Sequence, residues 1–259
     1  MPRDGAVSAL GRRVLAPAEH AAGSLALLLA AVRTAGALRR WPVRQVFWRQ
    51  VYFTALQVLP QTALIGVLLG VVVHTQIASL AGDNAALAGR ALVWAVVREI
   101  GPLFAAILVV SRSSSAVAAE FGTMQINREL DHLRSLGIDP VGYLVVPRIA
   151  GMTTAVVALT VFFEAATILG GLLVSTLLVR TPLLAQLSTI GGALSAFDLS
   201  ISLAKCLLFG LIVSASACYH GARVRSSITE VPQATTRAVM QSLTFVVLAN
   251  GLVTLASFV

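Results

Sequence analysis

The sequence predicts an all-α integral membrane protein in which an N-terminal interfacial amphipathic helix precedes five transmembrane helices. Hydrophobic residues make up 57% of the chain and charged residues only 12%, about half the charged fraction of a soluble domain. The mean hydropathy is +0.87. The apolar residues form continuous blocks instead of alternating with polar ones. The length of 259 residues fits one membrane domain, residues 1–259.

The N-terminal segment, residues 1–49, is expected to lie in the cytoplasm and at the membrane interface. Its apolar core, Ala21–Val32, is too short to cross about 30 Å of hydrocarbon. Arginines interrupt and flank this core, which is typical of an amphipathic helix lying among lipid head groups over residues 10–38. A cleaved signal peptide is the alternative, because small residues follow at Thr34–Ala37. The late start of the apolar region and the basic residues after it argue against that alternative.

The five spans are predicted from blocks long enough to cross the bilayer, all within residues 54–259. They are Thr54–Leu80, Ala85–Val110, Tyr143–Val179, Leu199–Tyr219 and Ala238–Val259. The third block is longer than one span requires, so part of it is expected to tilt, break or leave the bilayer, with Gly170 and Gly171 as candidate break points. Gly66 and Gly70 form a GxxxG pattern, a possible helix-contact face.

The distribution of basic residues predicts the orientation. Fifteen arginines precede the first span or lie in the second-to-third and fourth-to-fifth connections, whereas only Arg90 and Arg180 lie on the other side. The positive-inside rule therefore places the N-terminus in the cytoplasm and, after five spans, the C-terminus outside. The net charge of +8 is explained by this pattern and not by nucleic-acid binding, since the arginines flank apolar blocks.

A polar stretch between the second and third spans, residues 120–140, predicts a short helix at the cytoplasmic surface. Asn127 is the expected N-cap, and Gly137 followed by Pro140 ends the helix. Glu129 favours the first turn of such a helix, where a negative charge complements the helix dipole.

The same stretch carries an apolar stripe at helical spacing, formed by Ile126, Leu130 and Leu133. An exposed stripe of this kind requires a partner. The protein's own bundle and a groove on another protein both satisfy this requirement, and the sequence does not choose between them.

Ionisable residues inside the apolar blocks are the second candidate functional feature. Arg98 and Glu99 are expected near the middle of the second span, and Glu164 lies in the third. Lys205, the only lysine, lies in the fourth span, seven residues after Asp198. Each such group costs about 2.5–3.5 kcal/mol or more in hydrocarbon, so it should face a polar cavity or a partner. One interpretation is a cavity that binds a phospholipid head group, and the other is structural pairing of these charges across helices.

Other chemistry is not indicated. Cys206 and Cys218 lie in one apolar block and are expected to be buried, inert thiols. The four histidines are scattered and predict no metal site. The sequence has no GxxxxGK phosphate loop, so ATP that drives any transport must bind another subunit.

Several separate motifs resemble the MlaE/YrbE permease family of ABC transporters. The resemblance extends from about Trp41 onward, and the order and spacing of the motifs make it specific. The motifs are REIGP at residues 98–102, AAEFGTM at 118–124, LGIDP at 136–140, YLVVPR at 143–148, YHG at 219–221 and ATTRAV at 234–239.

The resemblance implies a homodimeric permease of the bacterial inner membrane that is not itself an enzyme and carries no cofactor. A cytoplasmic ATPase, in some systems with a small STAS-domain protein, would bind the ATP and engage a coupling segment. A periplasmic MCE-domain protein would exchange phospholipid, or a similar hydrophobic molecule, with the permease and so help maintain outer-membrane lipid asymmetry. The implied coupling residues are Glu120, Gly122, Thr123, Met124, Ile126, Glu129, Leu130 and Leu133.

The implied substrate cavity comprises Arg98, Glu99, Lys205 and Asn250. Asn250 is a departure, because the family usually has an acidic residue late in the last span, and a less negative cavity could alter substrate preference. An alternative function is a stand-alone secondary transporter that relays protons through Glu99, Glu164 and Lys205. Such carriers commonly show paired halves, and no internal repeat is evident here.

Overall fold

The protein is helical throughout the part of the chain that the computed structural model describes, residues 4–82, 84–174, 176, 183–225 and 227–257, and these residues contain no strand. The helices are α1 (Asp4–Arg33), α2 (Trp41–Thr54), α3 (Leu59–Ala81), α4 (Ala85–Val93), α5 (Gly101–Val109), α6 (Ser115–Ile126), α7 (Glu129–Ser135), α8 (Val146–Val174), α9 (Leu183–Ala193), α10 (Ala196–Ala222) and α11 (Glu230–Ala256). Three π-helical segments, Trp94–Ile100, Val110–Ser114 and Val141–Val145, join α4 to α5, α5 to α6 and the loop after α7 to α8.

Within the described residues, five helical stretches are long and apolar enough to cross a membrane, as the sequence predicts. They are Trp41–Ala81, Leu87–Ile126, Val141–Leu173, Ala196–Ala222 and Glu230–Ala256. The second stretch extends well beyond the predicted end at Val110, because α6 continues the same helix after the π-helical segment Val110–Ser114. The predicted ends of the third and fifth spans, residues 177–179 and 258–259, lie outside the described residues. The protein is a multi-pass membrane protein.

The third span is one continuous helix, so the prediction of a break at Gly170 and Gly171 is wrong. The glycines instead allow α3 and α8 to pack closely. A Cβ on Gly170 would lie 2.5 Å from the carbonyl oxygen of Val67, and a Cβ on Gly66 would lie 2.9 Å from the Cβ of Ala166. The GxxxG pattern is therefore a contact face between two helices of the same chain.

The α-helix α1 precedes the first spanning stretch, and α2 forms the beginning of that stretch. α1 runs beyond the predicted apolar core and packs on α10, where Gly23 lies against the ring of Tyr219 and Ala31 is buried. α2 follows with Pro42 in its first turn, a position where the missing N–H costs nothing. Pro60 has the same place in α3 and marks where the chain turns into the span.

The centre of the bundle is formed by α8, α10 and the second span. Met152, Leu159 and Phe163 of α8 and Phe209 of α10 are fully buried. Cys206 and Cys218 are buried and free, as predicted. The first and fifth spans lie at the periphery, since only 22% and 17% of their apolar windows are buried, against more than half for the other three.

Two ends of the bundle are used below. The α6–α7 end holds the connection between these helices, the C-terminus of α10 and the N-terminus of α11, where Gly122 packs on Val224 and Val231. The opposite end, called the Ser257 end, holds the N-terminus of α10 and the C-terminus of α11.

Candidate functional site

A break in the regular helix positions the two charges of the second span. In a regular α-helix the N–H of residue 102 would donate to the carbonyl of Arg98, four residues earlier. Pro102 has no N–H and cannot form this bond. The backbone here forms a π-helical segment, Trp94–Ile100. The N–H of Gly101, which follows the segment, donates to the carbonyl of Val96. The carbonyl oxygen of Arg98 is thereby left for another donor.

Lys205 of α10 supplies that donor. Its ammonium group lies 2.8 Å from the carbonyl oxygen of Arg98, 2.9 Å from Oε1 of Glu99 and 2.9 Å from Oγ1 of Thr254. The Lys205 side chain is 0% exposed. An ammonium group has three N–H donors, and all three are used. This full pairing explains how a charge is tolerated inside the bundle.

Glu99 receives further hydrogen bonds from α11. The hydroxyl of Thr254 lies 2.9–3.0 Å from both carboxylate oxygens, and the Asn250 amide donates to Oε2 at 3.3 Å. The other amide atom, Oδ1 of Asn250, is buried and has no hydrogen-bond partner among the described residues. Hydrogen bonds and ion pairs therefore connect all four predicted cavity residues, Arg98, Glu99, Lys205 and Asn250.

Arg98 connects this group to the Ser257 end of the bundle. Its guanidinium lies 3.7 Å from Asp198 Oδ1, donates to Ser257 Oγ and stands over the ring of Phe197. Asp198 also forms a capping box with Ser195 at the start of α10. We call Arg98, Glu99, Asp198, Lys205, Asn250, Thr254 and Ser257 the polar cluster.

The polar cluster lies nearer to one end of the spans than predicted. Arg98 was expected near the middle of the second span, but it pairs with Asp198 in the first turn of α10 and with Ser257 just after α11. The prediction took Val110 as the end of the span, whereas the helical rod continues to Ile126. Lys205 lies deeper, about 14 Å along α10 from its first residue by helical rise.

Glu164 does not belong to the polar cluster. Its Oε1 accepts a hydrogen bond from the hydroxyl of Ser202 at 2.8 Å, and its side chain packs beside Gly101. Among the described residues no hydrogen bond or ion pair joins Glu164 to Glu99 or Lys205. The three groups of the secondary-transporter hypothesis are thus not connected by direct contacts.

The predicted coupling segment forms a sharp turn between α6 and α7. Asn127 is not the N-cap, which corrects the prediction. Arg128 takes that position with a left-handed backbone (φ 57°), and Asn127 ends α6 while its amide donates to Glu129 at 3.2 Å. Gly137, also left-handed (φ 74°), ends α7 as predicted.

The end of α7 is a Schellman motif. The N–H of Gly137 bonds the carbonyl of Arg134, and the N–H of Ile138 bonds that of Leu133.

The apolar stripe of this segment packs on the protein's own bundle. Leu130 is 5% exposed and belongs to the hydrophobic core, Leu133 packs against this core, and Ile126 is half-buried. The exposed apolar residues come later, at Leu136 (74% exposed) and Ile138. The sequence left two partners open for the stripe, and the structure shows that it packs on the protein's own bundle.

The remaining coupling candidates divide between anchored and exposed positions. Gly122 is buried against α11 and its preceding loop, and Glu120 forms an ion pair of 2.6 Å with Arg148. Met124 is half-buried, whereas Thr123 and Glu129 are exposed to solvent. The segment is thus fixed to α8 and α11 on one side and presents polar residues on the other.

Comparison with known proteins identifies the family. A family model described as "Permease MlaE" matches residues 47–256. The chain belongs to the MlaE permease family. A probable ABC transporter permease protein of Rickettsia typhi is 29% identical over 210 residues, 80% of each chain. A counterpart in Rickettsia felis is 30% identical over the same share of both chains.

More distant lineages also match. The Arabidopsis thaliana protein TRIGALACTOSYLDIACYLGLYCEROL 1, chloroplastic, is 32% identical over 162 residues, 62% of this chain and 46% of its own length. A probable ABC transporter permease of Synechocystis is 33% identical over 165 residues, 62% of each chain. The protein is therefore an ABC transporter permease, which is the membrane subunit of such a transporter, and is not itself a catalytic enzyme.

Sequence reasoning named Asn250 but missed Thr254 and Ser257 of the polar cluster of this MlaE-family permease. These two residues follow Asn250 at spacings of four and three along α11, so all three lie on one helix face. This polar face in an otherwise apolar span is a signal that the sequence contains. The absence of a Pro102 N–H donor for the carbonyl of Arg98 could also have been anticipated, because Pro102 follows Arg98 by four residues.

Proposed function

We propose that this MlaE-family permease is the membrane subunit of an ATP-driven transporter that moves phospholipid, or a similar hydrophobic molecule, between the inner membrane and a periplasmic MCE-domain protein. Such transport would help maintain outer-membrane lipid asymmetry. The observation that carries the proposal is the polar cluster, a set of ionic groups enclosed by three spans near the Ser257 end of the bundle.

The charges of the polar cluster divide into a fixed pair and an exchangeable pair. Lys205 and Glu99 are held by short contacts, and the lysine is fully enclosed. Arg98 and Asp198 are 3.7 Å apart with 11% and 17% of their side chains exposed, a looser and more accessible contact. A lipid phosphate could displace Asp198 and take two parallel hydrogen bonds from the guanidinium. Lys205 would then hold the π segment that carries Arg98.

The chloroplast relative supports a lipid substrate through its name alone, which refers to trigalactosyldiacylglycerol, a glycerolipid. That name belongs to the relative. For this chain it favours a substrate with a diacylglycerol body over a soluble metabolite.

ATP would act through the α6–α7 segment. The sequence has no phosphate loop of its own, so a cytoplasmic ATPase subunit, accompanied in some systems by a STAS-domain protein, would supply the hydrolysis. Its groove would receive the exposed part of the segment around Leu136 and Ile138. The ion pair of Glu120 with Arg148 would carry a displacement of this segment to α8.

A homodimer would bring two such bundles together through the peripheral spans. α11 forms one wall of the polar cluster and also presents exposed apolar side chains, among them Leu248, Leu252 and Leu255. A second copy packed on this face would enclose the open side of Arg98. Disulfide crosslinking of a Leu252→Cys variant tests this contact, and exclusively monomeric protein under oxidation contradicts it.

The proposed orientation has the α6–α7 end in the cytoplasm of a bacterial inner-membrane protein, because arginine is concentrated there. A reporter that is active only outside the cytoplasm should be active when fused after Val259. Activity of a cytoplasmic reporter at that position would reverse the assignment.

A photo-crosslinker at Phe197 tests the substrate site. The Phe197 ring is 59% exposed and lies beside the Arg98 guanidinium. Benzoylphenylalanine at this position should form an adduct with phospholipid that Arg98→Gln weakens. The same crosslinker at Leu80, exposed on the first span, should give adducts that are indifferent to Arg98. Equal adducts at Phe197 with and without the arginine would contradict the proposal.

A further inference from the structure

A cavity lined by both polar and apolar residues lies at the α6–α7 end, away from the polar cluster. It has a volume of about 520 Å³ and is lined by α2, the Gln57 turn, α6 and the start of α8. Glu99 and Arg112 are separated by about 20 Å of helical rise, so the two sites are distinct. The lining residues used below are Arg49, Phe53, Arg112, Glu120, Met124 and Arg148.

Arg148 is the unusual member of this lining. Its side chain is only 4% exposed, and its Nη2 pairs with Glu120 at 2.6 Å while the guanidinium stacks on Phe121. Its Nη1 is buried and has no hydrogen-bond partner among the described residues. A buried guanidinium nitrogen without an acceptor is costly. An anionic oxygen in the cavity would satisfy it.

The charge balance of the cavity also favours an anion. Arg49, Arg112 and Arg148 contribute three positive charges, and Glu120 is the one acidic residue of the lining. Arg112 is already oriented, because Nη1 and Nη2 donate to the backbone and side-chain oxygens of Gln57 at 3.0 and 2.7 Å. Its remaining N–H groups are free to bind a second acceptor.

The cavity lies at the depth of lipid head groups. α2, which forms one wall, exposes Trp41, Trp48, Tyr52 and Phe53. Aromatic side chains of this kind collect where the hydrocarbon meets the head groups. Apolar lining residues such as Phe53 and Met124 suit the glycerol and upper acyl carbons that follow a phosphate.

We propose that this cavity binds the phosphate of a glycerophospholipid from the leaflet at the α6–α7 end, with Arg148 Nη1 and Arg112 as the phosphate ligands. The inference is independent of the lipid that the polar cluster handles and of the direction of transport. Bound lipid would join α2 to the segment that begins at Glu120.

The probe is phosphatidylglycerol with a diazirine on its head group, in nanodiscs that hold the full-length permease with its copurifying ATPase. After irradiation, peptide mapping should find the adduct within residues 46–57 or 112–124, which line the cavity. Arg112→Gln leaves the Arg148–Glu120 pair intact and should reduce this adduct about tenfold, the loss expected for one charge-assisted hydrogen bond. Arg40→Gln is the matched control, because that arginine is exposed and lies outside both the cavity lining and the α6–α7 segment.

Two further arms separate the sources of the phosphate. A diacylglycerol with the same diazirine but no phosphate should give no adduct, and millimolar inorganic phosphate should not displace the lipid. An adduct unchanged by Arg112→Gln, or one formed equally by the diacylglycerol, would overturn the proposal. Displacement by inorganic phosphate would make this a soluble-anion site and not a lipid site. If Arg112→Gln releases the ATPase and wild type forms no lipid adduct, the cavity would instead belong to the contact between the permease and the ATPase.

Discussion

Lys205 donates a hydrogen bond of 2.8 Å to the carbonyl oxygen of Arg98, to which Pro102 four residues later cannot donate because it has no N–H. A proline in the second span thus creates the acceptor for a lysine in the fourth. The same π segment turns the Glu99 side chain toward Lys205.

Pro102→Ala should disturb the polar cluster by closing the π segment. The new N–H competes with Lys205 for the Arg98 carbonyl, and loss of this charged hydrogen bond costs about 1.5–3 kcal/mol. We expect a lower thermal unfolding midpoint in detergent and loss of lipid transport. Pro60→Ala, in the first turn of α3, is the control. An unchanged midpoint and full transport in Pro102→Ala would show that the proline does not set this geometry.

The Lys205–Glu99 pair should behave as a buried ion pair in a double-mutant cycle. Lys205→Met or Glu99→Gln alone leaves one charge without its counter-ion, at a cost of about 3–5 kcal/mol in the free energy of unfolding. The double variant removes both charges and should be less destabilised than the sum of the two single variants. Additive losses would mean that the two groups are energetically independent.

Asn250→Asp tests the residue that departs from the family pattern. The Asn250 amide donates to Glu99 at 3.3 Å, so an ionised aspartate there would place two carboxylates side by side. We expect Asn250→Asp to lower the unfolding midpoint at pH 8 more than at pH 5, where the added carboxyl can be protonated. A loss that is equal at both pH values would exclude charge repulsion as its cause.

The α6–α7 segment should respond differently at its buried and exposed leucines. Leu136→Asp changes a side chain that is 74% exposed, so it should release the ATPase while the permease stays folded. Leu130→Asp places a charge in the core and should unfold the segment. Copurification and size-exclusion chromatography distinguish these results. Retention of the ATPase at wild-type stoichiometry in Leu136→Asp would exclude this residue from the contact.

The sequence predicts the five spans and most of the polar cluster because both depend on strong local signals. A long apolar block has few alternatives to a spanning helix, and an ionisable residue within it must find a partner. Arg98, Glu99 and Lys205 lie together for this reason, whereas Asn250 was singled out by the family resemblance.

The errors arise where one local pattern permits two outcomes. Gly170 and Gly171 could break a helix or allow close packing, and only the position of α3 decides for packing. Asn127 is a favourable N-cap by propensity, but the left-handed conformation of Arg128 starts α7 one residue later. The direction of the Leu130 stripe depends on contacts between helices distant in sequence, which periodicity does not specify.

ATP-dependent phospholipid transfer tests the central claim most directly. The permease and its ATPase subunit would be reconstituted in liposomes with fluorescent phospholipid, and transfer to or from the MCE-domain protein would be followed with and without ATP. We predict ATP-dependent transfer by wild type, loss of transfer in Arg98→Gln with folding and ATPase binding intact, and normal transfer in Arg40→Gln, which changes an exposed arginine outside the polar cluster and the α6–α7 segment. ATP-independent transfer, or transfer at the wild-type rate in Arg98→Gln, would contradict the account.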